Sequence, residues 1–147
     1  MRALRIWVCG VALFWSTAVA ARSQIEITDA WVRAPIGQVN VAAGYLTIFN
    51  GGDRDDVLLG VETEAAARTE VHTVSEGANG MMRMRPVPAV PLPSGTSVTL
   101  APGGTHLMLT GLDEAVEDGT DLMLRLTFQH AGTIEVVVPV ARRAPGS

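Results

Sequence analysis

The 147-residue chain has a single cysteine, Cys9, and no lysine; all 11 of its basic residues are arginine. Cys9 lies in an N-terminal stretch that reads as a secretory leader. Arg2 and Arg5 precede the uncharged apolar run 6–15, small residues fill 16–21, and Ala18-Val19-Ala20 offers an A-x-A cleavage site. The run is too short to span a bilayer, which takes about 20 apolar residues. Removing residues 1–20 leaves a chain without cysteine. Disulfides, thiolate zinc sites, iron–sulfur clusters, blue-copper centres and thiol catalysis are thereby excluded. Arg2 and Arg5 leave with the leader, so 9 arginines stand against 15 acidic residues, a poor surface for nucleic acid. Nucleophile motifs, phosphate loops and a convincing acid–base pair are also missing, so an enzyme is not expected.

Long helical periodicity is missing as well. The chain reads instead as short segments, many rich in β-branched residues, between turn signals. Strands are expected at 24–33, 41–50, 56–63, 68–74, 81–87, 97–100, 105–112, 122–130 and 133–140, with a short helical turn at 113–119. In the first strand, Ile25, Ile27 and Trp31 are expected on one side. Prolines 86, 88, 91 and 93 keep their segment out of a central strand. Eight to nine strands with Gly and Pro at the joints predict an all-β sandwich or barrel. The domain is expected over residues 21–141, followed by a loose tail at 142–147.

Without cysteine, the soft-ligand inventory is methionine and histidine: Met81, Met82, Met84, Met108 and Met123, with His72, His106 and His130. Side chains at i and i+2 of a strand share a face. His106 therefore points with Met108, away from Leu107 and Leu109, and Met82 points with Met84. A hairpin turning at Gly77–Gly80 brings the His72 strand beside Met82 and Met84. Thioether sulfur is a poor partner for hard cations, and zinc sites do not use it. Imidazole plus thioether without thiolate or carboxylate points to copper(I). Taken singly, each residue has a plainer reading. Methionine on an apolar strand is commonly core filler, and Met123 lies in the apolar run Leu122–Phe128. His130 reads as an exposed hairpin end, Trp31 and Tyr45 as core or rim aromatics, and Asp53, Asp55 and Asp56 as a solvated turn.

The intervals give the set more weight. His72-Thr73 is followed by ten residues, then Met84, then twenty-one residues, then His106-Leu107-Met108. This resembles the signature of the periplasmic copper chaperones called PCuAC: His, an optional Met, ten residues, Met, twenty-one residues, His-x-Met. Asp29–Ala34, Ala43–Ile48, Met84–Val87 and Leu100–Gly104 also resemble that family, and the likeness covers roughly residues 24–140. It implies a cupredoxin-like Greek-key β-sandwich with copper(I) held by His72, Met84, His106 and Met108. The implied role is a periplasmic carrier, a monomer without stable membrane insertion once the leader is cleaved. It would deliver copper to the copper A subunit of cytochrome c oxidase or to another copper-assembly protein. Thr73 stands at the optional Met position. The tail after Val140 carries neither His nor Met, so a second, copper(II) site seen in some members is not implied. The rival expectations are a copper storage or resistance protein, and a structural or protein-binding β-sandwich with no metal.

Overall fold

A computed structural model describes residues 24–37 and 39–146. The proposed leader lies outside the described residues. Ten strands follow in order: β1 Ile25–Arg33, β2 Val41–Asn50, β3 Asp56–Glu62, β4 Ala66–Glu76, β5 Met82–Pro86, β6 Val90–Leu92, β7 Ser97–Leu100, β8 His106–Leu112, β9 Asp121–Phe128 and β10 Gly132–Ala141. The fold is the expected all-β, cupredoxin-like one. The additional strand is β6, three residues long with Pro91 at its centre. It lies at one end of the strand order β5-β4-β8-β2-β1-β10-β9-β3-β6, while β7 pairs with β2, so a residue without an N–H is tolerated there. The segment 113–119 forms turns rather than helix; Val116 N–H donates to the Asp113 carbonyl, and Val116 is buried.

All strand pairs are antiparallel except β1 with β10. The core forms where strands alternate. Along β9, Leu122, Leu124, Leu126 and Phe128 are buried, while the residues between them point away. Met123 is among the latter and is 48% exposed, so the expectation of a core methionine fails by one position of the pleat. Leu107 and Leu109 of β8, Leu46 and Ile48 of β2, and Val32 of β1 belong to the same core cluster.

Strand β1 changes face partway. Ile25 and Ile27 pair with Asn50 and Ile48, but the register shifts between Thr28 and Trp31, and Trp31 then pairs with Tyr45. Asp29 has φ of 51°, the left-handed region that Asp tolerates better than most residues. The extra residue is a β-bulge, which reverses the inside–outside assignment of everything after it. Trp31 therefore does not share the side of Ile25 and Ile27, because strict alternation fails at Asp29.

Asp56 also departs from its expected place in a solvated turn: it is 3% exposed. Its carboxylate accepts N–H bonds from Val57 at 2.7 Å, His130 at 2.9 Å and Ala131 at 2.9 Å, tying the start of β3 to the β9–β10 turn. Asn50 plays a similar part on the neighbouring loops, donating to the carbonyls of Arg54 and Leu92. Replacing Asp56 with Ala strands buried donors and should lower stability by about 2–4 kcal/mol. Urea unfolding checks this; a loss under about 0.5 kcal/mol would show that water meets those N–H groups.

Candidate metal centre

The site lies on strands β5, β4, β8 and β2, on the face turned away from the leucine core. In β8, burial of Leu107 and Leu109 at 0% exposure forces His106 and Met108 to the other side. Cross-strand partners share a face, which carries the assignment outward. His72 of β4 is the Cα partner of His106, and Glu70 that of Met108. Across the β4–β5 pair, His72 faces Pro86 and Val74 faces Met84. Met84 is thus the diagonal neighbour of His72. All four residues named from the sequence lie on one face of three adjacent strands.

Three of them converge further. Met84, His106 and Met108 line one recess of about 300 Å³, together with Arg33, Ala34, Pro35, Ile36 and residues 41–43 of β2. His72 does not line it and sits one strand over, opposite His106. His106 is 8% exposed and Met84 is 49% exposed, so the recess is lined by one buried imidazole residue and one half-exposed methionine. Met82, two residues from Met84 and 63% exposed, lies on the same strand face outside it. A larger cavity of about 860 Å³, reached from the β3–β4 turn and β9, contains no histidine.

The two imidazoles are held differently. His106 Nδ1 lies 3.0 Å from the Gly104 carbonyl. A carbonyl only accepts, so Nδ1 carries the hydrogen and the lone pair of neutral His106 is on Nε2. His72 Nε2 faces the Glu70 carboxylate at 3.4 Å, which places its hydrogen there. Its Nδ1 is buried without a hydrogen-bond partner, an open donor position of the kind a metal would fill. Each histidine is thus oriented through one nitrogen, by a carbonyl or a carboxylate, the arrangement that metal-binding histidines use. Thr105 Oγ1 donates to Thr73 Oγ1 at 3.2 Å, clamping β4 to β8 beside the pair. Among the described residues no three His, Cys, Asp or Glu side chains come together. Any metal held on this face would have to draw on the thioethers as well, a donor set that disfavours hard divalent ions.

Behind His106 stands an aromatic pair that composition and periodicity did not assign to the site. Trp31 and Tyr45 are each 6% exposed, with ring centroids 4.9 Å apart, and Tyr45 lies 6.5 Å from the His106 ring. The Arg33 guanidinium sits 5.7 Å from both aromatic centroids. Only the β1 bulge puts Trp31 and Arg33 on this face. His130 is exposed at its hairpin, as expected, and takes no part.

Comparisons with known proteins define a class and then a family. The fold is shared with PCuAC domains. The copper-bound PCuAC domain from PmoF2 superposes with a TM-score of 0.70 at 28% identity, covering 84% of this chain and 97% of that one. The copper(I) form of DR1885 from Deinococcus radiodurans gives 0.60 at 25% identity, covering 90% and 85%. Residues 25–140 match the family described as "Putative lipoprotein LpqE-like", and the chain belongs to that family. A similarly described lipoprotein of Leifsonia xyli subsp. xyli, Lxx21020, is 32% identical over 118 residues, covering 79% of this chain and 69% of its own.

The opposed tautomers are directly measurable. Long-range ¹H–¹⁵N NMR of the metal-free protein with neutral imidazoles should show His106 protonated at Nδ1 and His72 at Nε2. The reverse tautomer at either residue would contradict the orientation of that donor.

Proposed function

We propose that this chain is an exported copper carrier that holds one copper(I) ion through His72, Met84, His106 and Met108 and hands it to an acceptor protein. The observation that carries the reading is the convergence of Met84, His106 and Met108 on one recess, with His72 in register opposite His106. The copper-bound and copper(I) structures among its fold neighbours support the choice of metal. Two imidazoles and two thioethers suit the soft monovalent ion.

The geometry also suits a carrier. The donor set lacks thiolate, so it binds less tightly than a cysteine trap and is not lost to disulfide formation outside the cytoplasm. Met84, half-exposed on an edge strand, would be the ligand an incoming acceptor reaches first, and exchange would begin there. Deeper donors follow, with His106 last. Nothing in this scheme requires a bond-making step on a substrate, so the chain acts as a carrier and not as an enzyme. The description of its family and of one relative as putative lipoproteins agrees with export; the compartment we propose is the periplasm. The acceptor would be the copper A subunit of respiratory oxidase or another copper-assembly protein.

Titration with copper(I) under reducing conditions should give one ion per chain, and X-ray absorption should show mixed nitrogen and sulfur ligation. Combining Met84→Ala with His106→Ala should weaken binding by more than about a hundredfold, since outer-shell partners alone are worth about 10- to 100-fold. Unchanged affinity in that double variant would remove this site from consideration. Glu70→Ala keeps all four proposed ligands but removes the acceptor that orients His72, and should weaken binding by roughly tenfold. Copper(I) affinity should fall on acidification, because imidazole binds only when deprotonated. A pH-independent affinity would mean that the histidines are not ligands. In cells, deletion at low copper should reduce the copper content of respiratory oxidase; normal content would point to a different acceptor.

A further inference from the structure

Among the described residues, Arg33 is the one charged side chain lining the recess that holds Met84, His106 and Met108. A cation site with a cation built into its wall needs a physical reason. The guanidinium is positioned by stacking near two ring faces, Trp31 and Tyr45 at 5.7 Å each, and by the bulge that turns its strand position outward. Among the described residues no carboxylate forms an ion pair with it. The nearby Glu70 is shared between Arg68 at 3.9 Å and His72 at 3.4 Å, so the Arg68 and Glu70 charges offset each other and Arg33 remains uncompensated.

We infer that Arg33 is a specificity-determining residue that makes the recess select a monovalent over a divalent ion. The inference rests on the proposed copper(I) reading of the same site. Coulomb repulsion scales with the charge of the bound ion. A fixed positive charge therefore penalises copper(II) and zinc(II) twice as much as copper(I), whatever the ligands prefer. Thioether softness already favours copper(I); the guanidinium adds a term that depends on charge alone. It also weakens copper(I) somewhat, which favours release.

The experiment is a charge series at one position: wild type, Arg33→Lys, Arg33→Gln and Arg33→Glu. Affinities for copper(I), copper(II) and zinc(II) are each measured by chelator competition at fixed ionic strength. Zinc(II) shares the filled d shell of copper(I), so it separates charge from redox chemistry. The ratio of copper(I) to divalent affinity should hold within about twofold in Arg33→Lys, fall on the order of five- to tenfold in Arg33→Gln, and fall further in Arg33→Glu. Trp31 fluorescence reports whether the ring stack survives each change. A ratio that stays constant along the series, or that follows side-chain size and not charge, overturns the role of Arg33. If wild type binds copper(I) at one ion per chain while the ratio stays constant, only this inference fails. If wild type does not retain copper(I), the carrier reading fails and takes this inference with it.

Discussion

The strand pleat of β8 is the constraint on which the site depends. Leu107 and Leu109 are sealed at 0% exposure in the core, and every other decision on that face follows from them. A slip of one residue would push both leucines out and drive His106 and Met108 in, so hydrophobic burial fixes the register strongly. Val71 of β4 is the Cα partner of Leu107 and is buried with it, which transmits the same inside–outside choice to His72. The ligand face is polar and soft because the opposite face is so strictly apolar. Gly44 of β2 serves the same end: a Cβ there would come within 3.2 Å of the Leu107 side chain, so its absence lets the two strands sit flush behind the site.

Around that fixed face, the donors are graded from rigid to mobile. His106 is nearly buried, bonded to the Gly104 carbonyl and close to Tyr45. His72 is held by a longer contact to a half-exposed carboxylate. Met84 sits on β5, whose five residues are all exposed and which pairs along one edge only, with β4. Thioether on a solvent-facing edge strand loses little when it changes partners, because methionine is flexible and its exposed surface is not part of a packed core. A copper site built on the proposed donors would have one firm end and one loose end and could open stepwise, each intermediate keeping part of the coordination.

Much of this was legible in the sequence, for definite reasons. β2 and β7 fall where the flanking turns put them, because Asn50-Gly51-Gly52 and Pro102-Gly103-Gly104 mark their ends. The shared face of His106 and Met108 follows from spacing, since the pairing of β8 with β4 is regular from His106 to Leu109. What escaped has one cause in each case. Trp31 changed sides because a bulge at Asp29 breaks the period. Asp56 was read as solvated because its partners, the backbone N–H groups of His130 and Ala131, are 74 and 75 residues away in the chain. Met123 reads as core when the segment is taken as a whole, but the pleat sets it on the face of Arg125 and Thr127, opposite Leu122 and Leu124. β6 was hidden by its own prolines. Arg33 had no local motif to mark it, since its place beside the ligands depends on the bulge and on the pairing of β1 with β2.

The bulge has a consequence for how this domain tolerates change. Ordinarily a deletion inside an edge-to-centre strand is felt as lost hydrogen bonds spread along its length. Here the two halves of β1 have separate duties: Ile25 and Ile27 pack against the main core, while Trp31 and Arg33 furnish the back wall of the recess. Thr28 pairs with Thr47 and Trp31 with Tyr45, so the two residues between them share one place in the ladder. Losing one of the two would leave both pairings, and the faces of Val32 and Arg33, as they are. The bulge is slack in the chain: a one-residue change of length is absorbed there before it reaches the recess.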